Sequence, residues 1–139
     1  MAPDEQEIAA QLWWESSMSV PHQIDDPPTQ DALAARLVAE PWKVTLAWRG
    51  EAVVGLLATQ AKDRWLRQLF VAPQAKRTGV GRQLLAAAQR EMPQGFYLHT
   101  HPENLPARRF YEAQGLVSEG VQAHPIYGTP QVRYAWRGG

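Results

Sequence analysis

Two glycines and three basic side chains stand together at the start of a predicted amphipathic helix. Gly79 and Gly81 open that helix, shortly after a predicted strand ends at Val71. The N–H groups of a helix's first turn have no partner within the helix, and the helix dipole adds partial positive charge there. Glycines let an anion approach the backbone because no Cβ is in the way. The basic residues of this stretch are Lys76, Arg77 and Arg82. The pattern predicts a phosphate-binding loop, although it also fits a plain helix start with solvated charges.

The loop does not match two common nucleotide-binding motifs. A P-loop has a glycine, four residues, and then Gly-Lys followed by Ser or Thr, which this segment lacks. The dinucleotide fingerprint has a third glycine at a fixed offset after the pair, and none follows Gly81 there. Any phosphate held here therefore belongs to a ligand that neither motif describes.

A second group of candidate residues surrounds a predicted helix over residues 105–114. Asn104 precedes this helix, and Tyr111 lies within it. Gly115 and the apolar Leu116 follow as in a Schellman stop. Read from local chemistry alone, Asn104 is a helix N-cap and Tyr111 is a core aromatic residue.

A histidine lies on the short predicted strand that precedes this helix. Alternation over residues 96–100 places His99 with Tyr97 and His101 on the face opposite Leu98 and Thr100. An unperturbed imidazole, with a pKa of about 6.5, accepts a proton near neutral pH. His99 is therefore a candidate general base, and the alternative is a satisfied, partly buried histidine that lines the sheet.

The surrounding elements follow from periodicity and from proline and glycine positions. Strands joined through a helix usually return in parallel, so the strands at 64–71 and 96–100 are predicted neighbours. The pattern as a whole predicts an α+β domain. The predicted helices are residues 5–18, a helix capped by Thr29 or Asp31 that runs to about Glu40, about 79–92 and 105–114, with a loop over 20–28. The predicted strands are 42–48, 52–59, 64–71, 96–100, 116–122 and 131–136.

Composition narrows the functional class. The 139 residues suit one domain, spanning 1–139. The sequence contains no cysteine, which excludes thiol catalysis and zinc–thiolate sites. Fourteen basic and fourteen acidic residues cancel, which argues against a general nucleic-acid binder. No apolar run reaches membrane-spanning length, and the acidic N-terminus lacks signal-peptide features. We therefore expect a cytoplasmic protein with no nucleic-acid or membrane partner.

Both motifs together resemble those of the GCN5-related N-acetyltransferases (GNAT). The first is Val-x-Pro, a basic position, two residues and Gly-x-Gly before an amphipathic helix. Lys76 fills the basic position, where that family usually has arginine or glutamine. The resemblance covers roughly residues 66–116. The residues of the second motif that fall in register are Asn104, Ala107, Phe110, Tyr111, Gly115 and Leu116.

The resemblance implies a GNAT-like fold, a mixed twisted sheet splayed between two parallel strands and flanked by helices. It implies acetyl-CoA as acyl donor, no metal, and direct attack by a primary amine in a ternary complex. The pantetheine arm would pair with backbone near Leu69–Val71, and the pyrophosphate would lie on residues 77–82. Asn104 would bond the pantetheine, and Tyr111 would protonate the departing thiolate. The implied cofactor-binding residues are Leu69, Phe70, Val71, Lys76, Arg77, Thr78, Gly79, Val80, Gly81, Arg82, Asn104 and Tyr111.

The proposed base departs from the family's usual residue. Many members carry a glutamate five residues before the asparagine, where this chain has His99. Gln68 and Trp65 lie at positions where other members place polar or acidic active-site residues. An imidazole base predicts a pH–rate limb near about 6–7.5 unless burial shifts it. The acceptor is a small-molecule or peptide amine, and a homodimer is compatible with the family. The alternative function is a catalytically inactive acyl-CoA-binding or sensor module.

Overall fold

The computed structural model describes residues 42–72, 75–126 and 128–138. The predicted helices at 5–18 and 29–40, and the loop between them, lie outside these residues. Within them, the predicted strands and helices are all present, and their ends differ by at most one residue. The elements are β1 (Lys43–Arg49), β2 (Ala52–Gln60), a 3-10 turn (Ala61–Asp63), β3 (Trp65–Val71), α1 (Val80–Glu91), β4 (Phe96–Thr100), α2 (Leu105–Ala113), β5 (Val117–Ala123) and β6 (Pro130–Trp136).

The strands form one mixed six-stranded sheet in the order β1-β2-β3-β4-β6-β5. The β1–β2–β3 group is antiparallel, as is the β4–β6–β5 group. The two groups meet where β3 runs parallel to β4. This confirms both the α+β class and the prediction that the strands at 64–71 and 96–100 are parallel neighbours.

The junction between β3 and β4 is short, and the sheet opens beyond it. Trp65 opposite Tyr97 is the one pair that joins these strands, next to a hydrogen bond from the Tyr97 N–H to the Arg64 carbonyl (3.0 Å). Past that point β3 stays on β2, while β4 stays on β6. A bulge adds to the divergence, because Arg67 is an extra residue between the pairs that β2 makes with Leu66 and Gln68. The two strands therefore form a V that opens towards Val71 and Thr100.

Helix α1 covers one face of the sheet with a stripe of apolar side chains. The predicted stripe of Val80, Leu84 and Ala88 is buried, together with Leu85. The helix lies close to β2 because Gly55 has no side chain. A Cβ built on Gly55 would approach Leu84 Cδ1 to 2.8 Å and Val80 Cγ1 to 2.9 Å. Gly55 thus determines the height at which α1 sits above the sheet.

Helix α2 begins and ends as its sequence indicates. The Asn104 Oδ1 accepts a hydrogen bond from the Ala107 N–H at 3.4 Å, which is an N-cap. At the other end, Gly115 has φ 90° and donates to the Glu112 carbonyl, while the Leu116 N–H donates to the Tyr111 carbonyl. This pair of bonds is the predicted Schellman stop.

Both helices lie on the same face of the sheet, called here the helix face. Tyr134 of β6 donates a hydrogen bond to Glu112 of α2 (2.7 Å) and pairs with Leu98 of β4. A Cβ on Gly81 of α1 would lie 3.2 Å from the Phe110 ring of α2. Because side chains alternate along a strand, Tyr97 and His99 point to the opposite face.

We expect Gly55→Ala to destabilise the fold by about 1–3 kcal/mol, because the new methyl group overpacks the α1–β2 contact. The measurement is urea unfolding of the single variant and of the same change combined with Leu84→Ala. Truncating Leu84 removes the atom nearest to the new methyl group. The alanine at 55 should therefore cost less in that background. An equal cost in both backgrounds would show that the close approach is not its cause.

Candidate active site

The segment between β3 and α1 presents backbone N–H groups at the open end of the V. Residues 76–79 form a turn, in which Arg77 and Gly79 are left-handed, with φ of 65° and 90°. Turns with such residues direct successive N–H groups to one side and bind anions. The first helical bond of α1 runs from the Gln83 N–H to the Gly79 carbonyl (3.0 Å). The N–H groups of residues 80–82 precede that bond and emerge from the helix end.

The two glycines of the loop have different physical roles. Gly79 is the α1 N-cap, and its left-handed φ is strained for any residue with a side chain. A Cβ there would meet nothing within 4 Å. Gly81 instead lies against Phe110 and Val71, at 3.2 Å and 3.6 Å from the position of its missing Cβ. Gly81 therefore allows α1 to pack on α2, so the first motif directly contacts the second.

The loop is also fixed from the side by a residue that the sequence did not single out. Arg49, at the end of β1, donates from Nη2 to the Thr78 hydroxyl at 2.9 Å. The same hydroxyl donates to the Ala75 carbonyl. The Thr78 side chain thus stabilises the turn, and its backbone remains the part directed at a ligand. The exposed basic side chains around the turn are Lys76, Arg77 and Arg82.

Among the described residues, nothing pairs with one edge of β3 along the V. The Ala72 N–H donates to the Val54 carbonyl of β2 at 2.8 Å. Bonding in an antiparallel pair alternates, so Phe70 also turns its backbone groups to β2. Leu69 and Val71 then turn theirs towards the V. An unpaired strand edge of this kind accepts an extended ligand with amide groups.

Tyr111 is buried on the helix face beside the V. Its side chain is 7% exposed and its ring contacts that of Tyr134 at 5.8 Å between centroids. Burial, and then Tyr134, raise the pKa of Tyr111 above its ordinary value. The hydroxyl therefore stays protonated at neutral pH and is available as a hydrogen-bond donor. Tyr134 is itself held by Glu112 and by Arg108, which donates to its hydroxyl at 3.1 Å.

His99 belongs to a cluster of four rings on the opposite face, called here the aromatic wall. The wall consists of Trp65, Tyr97, His99 and His124. Trp65 stacks on Tyr97 at 5.5 Å. The His99 ring lies 5.8 Å from Trp65, 5.7 Å from Tyr97 and 5.0 Å from His124. The predicted alternation is confirmed for Tyr97 and His99. His101 lies after the strand, where its Nδ1 accepts a hydrogen bond from the Glu103 N–H.

The environment of His99 opposes its protonation. The pKa of His99 is lowered to about 4, mainly by burial and also by charge repulsion from His124, Arg133 and Arg67. Its Nδ1 is buried without a hydrogen-bond partner among the described residues. His99 is therefore neutral at physiological pH, and any pH–rate limb that it contributes is expected near 4 instead of 6–7.5.

Four functional candidates came only from the three-dimensional arrangement. Arg49 reaches the turn at residues 76–79 from β1, and His124 reaches the aromatic wall from the segment after β5. Arg67 and Arg133 lie over Trp65 and Tyr97, with 3.9 Å and 4.0 Å from guanidinium carbon to ring centroid. No motif marks these positions. Arg133 pairs with His99 in the β4–β6 register, which places both side chains on the same face of the sheet. The sequence alone does not give that register.

The described residues contain neither a cluster that could hold a metal ion nor a helix that could span a membrane. No three or more histidine, aspartate or glutamate side chains within residues 42–72, 75–126 and 128–138 come together as a metal-ion site. Neither α1 nor α2 has the length and apolar character needed to cross a membrane.

Comparisons with known proteins agree with this geometry. The family model described as "Acetyltransferase (GNAT) family" matches residues 8–116. Peptidyl-lysine N-acetyltransferase YiaC of Escherichia coli K12 is 41% identical over 54 residues, which span 39% of this chain and 36% of that protein. The chain therefore matches little more than a third of this relative's length.

Solved structures match over nearly the whole chain. The solution structure of apo-form YjaB from Escherichia coli has a TM-score of 0.80 and 21% identity, covering 100% of this chain and 95% of the other. The PaiA N-acetyltransferase of Thermoplasma acidophilum, solved in complex with coenzyme A, has a TM-score of 0.77 and 14% identity, covering 99% and 95%. At these identities the likeness shows the fold.

The depressed pKa of His99 predicts a component of stability that depends on pH. Between about pH 4 and 6.5 the unfolded chain binds a proton at this position and the folded chain does not, so this component grows as pH rises and is lost on acidification. His99→Gln removes it. We expect the difference in urea midpoint between wild type and variant to change over this range and to level off above it. A difference independent of pH would contradict the depressed pKa.

Proposed function

This chain belongs to the acetyltransferase (GNAT) family, and we propose that it transfers the acetyl group of acetyl-CoA to a primary amine by direct attack in a ternary complex. The observation that carries the proposal is the V between β3 and β4, with an anion-binding turn at its mouth and Tyr111 at its side. The acetyltransferase named YiaC and the coenzyme A complex of PaiA support the same donor.

Acetyl-CoA would bind along the first motif. The pyrophosphate would accept hydrogen bonds from the N–H groups of residues 77–82, with Lys76, Arg77 and Arg82 supplying charge. The pantetheine amides would pair with the open edge at Leu69 and Val71. Since Phe70 directs its backbone to β2, any contact it makes with the donor would come from its side chain. Asn104 uses Oδ1 for its cap, so its amide nitrogen would donate to the pantetheine.

The reaction balances without any further reactant. The amine nitrogen attacks the thioester carbonyl carbon, and the N–C bond forms. The N–H of Val71 would stabilise the developing oxyanion. The C–S bond then breaks, and Tyr111 donates to the departing thiolate. Because the pKa of Tyr111 is raised, its main contribution would be a hydrogen bond that strengthens as negative charge grows on sulfur. The products are an N-acetyl amide and free coenzyme A.

His99 would act on the amine from the other face. A neutral imidazole with a pKa of about 4 removes a proton poorly from a free ammonium group, whose pKa is about 10.4 for a lysine-like amine. The nitrogen becomes far more acidic once it bonds to the carbonyl carbon. We propose that His99 orients the neutral amine and accepts its proton, directly or through water, as that bond forms. The acceptor is a small-molecule or peptide amine.

Donor binding is tested by calorimetry with acetyl-CoA. Wild type should bind, and a hundredfold excess over Kd should stabilise the fold by about 2.7 kcal/mol. Arg82→Glu should weaken binding by about tenfold or more, because it places negative charge beside the pyrophosphate. Arg90→Glu, at the other end of α1, is the matched control and should retain wild-type affinity. Gly81→Glu is less informative, since its side chain would also displace Phe110. Absence of acetyl-CoA binding to the folded wild type would refute the proposal.

Turnover separates an enzyme from an acyl-CoA-binding module. Tyr111→Phe removes only the hydroxyl, so the fold and acetyl-CoA affinity should persist while kcat falls by about 10²–10³-fold. The measurement is coenzyme A release with a panel of amines, alongside the melting temperature and the affinity for acetyl-CoA. Wild-type rates in Tyr111→Phe would reduce Tyr111 to a packing residue. Binding without turnover in wild type would favour the sensor module.

A further inference from the structure

Two arginines stand at the edge of the aromatic wall, where the proposed acceptor would bind. Arg67 is the extra residue at the β3 bulge, and its guanidinium lies 3.9 Å from the centre of the Trp65 ring. Arg133 lies on β6 directly opposite His99, and its guanidinium lies 4.0 Å from the centre of the Tyr97 ring. Stacking on an aromatic ring fixes a planar guanidinium and leaves its N–H groups directed outwards around its edge.

Arg133 is held in place without using all of its donors. Its Nε donates to Glu119 Oε1 at 2.7 Å, with both side chains about one-third exposed. Within the described residues its two Nη groups make no hydrogen bond. A guanidinium presents donors in pairs that match the two oxygens of a carboxylate. Arg133 is therefore anchored on one side and keeps a bidentate site on the other.

Within the part of the chain that the structure describes, the charges that act on His99 are positive. Arg133 and Arg67 both act on this imidazole, together with His124. Among the described residues, the carboxylates near the wall are Glu119, which is bonded to Arg133, and Asp63, which accepts a hydrogen bond from Gln60. A purely cationic acceptor, such as a polyamine, would meet two guanidinium groups beside its reacting nitrogen. An acceptor that also carries an anion would instead gain a partner.

We infer that the acceptor is a small amine that carries a carboxylate close to its amino group, with Arg133 as the residue that binds the carboxylate. This inference rests on the proposed acetyl transfer. Since Arg133 and His99 are cross-strand neighbours, a carboxylate on Arg133 places an amino group one or two bonds away near the His99 ring. Arg67 adds a second positive charge on the other side of the wall, which also favours the neutral form of the amine.

The inference is tested by acetylation of matched amine pairs that differ only in the carboxylate. Suitable pairs are phenylalanine with phenethylamine, tryptophan with tryptamine, and lysine with cadaverine, alongside a lysine peptide with blocked termini. We expect kcat/KM to be at least tenfold higher for the amino acid of at least one pair, mainly through a lower KM. Turnover that favours the decarboxylated amines or the blocked peptide would overturn the carboxylate inference and leave acetyl transfer intact. No turnover with any amine would count against both.

The role of Arg133 is tested by the ratio of the kcat/KM values for the two amines of a matched pair. Arg133→Gln should lower the preference for the carboxylate-bearing member by about tenfold or more, and Arg133→Lys should restore part of it because it retains the charge. Arg90→Gln, on the exposed end of α1, is the control that should keep the preference. If Arg133 only supports Tyr97 and Glu119, both rates in Arg133→Gln will fall together and the ratio will stay constant. That result would overturn the assignment of Arg133.

Discussion

The structure depends on a parallel strand junction that is one pair long. Trp65 opposite Tyr97 joins the two halves of the sheet, and the Arg67 bulge directs β3 away immediately afterwards. Each half is a continuous antiparallel unit, so the separation leaves both stable while exposing backbone groups along one edge of β3. The same residues that form the junction also begin the aromatic wall. The constraint that opens the V therefore also positions the side chains around it.

The two faces of the sheet place different groups around that opening. On the helix face, Gly81 contacts Phe110, so α1 packs directly on α2. The turn at residues 76–79 precedes α1, and Tyr111 lies within α2. On the opposite face, the aromatic wall and its two arginines surround His99. In the proposed reaction, Tyr111 and His99 would therefore approach the thioester and the amine from different faces of the sheet.

Local sequence signals predicted the helices and strands well, but they did not predict contacts between residues that are far apart in the sequence. Period-two alternation gave β1 and β4, and Gly115 with Leu116 gave the end of α2, because each depends on neighbouring residues. The packing role of Gly81 depends on a residue 29 positions later, and sequence reasoning assigned it only to phosphate approach. The pKa of His99 was expected near its ordinary range, but burial and the nearby positive groups lower it to about 4. Arg133 lies beside His99 because of the β4–β6 register, and no sequence motif encodes that register.

Hydrogen–deuterium exchange of the full chain with and without coenzyme A tests the central claim most directly, because it locates the ligand on the backbone. The account predicts slower exchange at the amides of Leu69 and Val71 and of residues 77–82, with no change along β5, which lies at the far edge of the sheet. Protection confined to other segments, or none at saturating coenzyme A, would contradict a donor site in the V between β3 and β4.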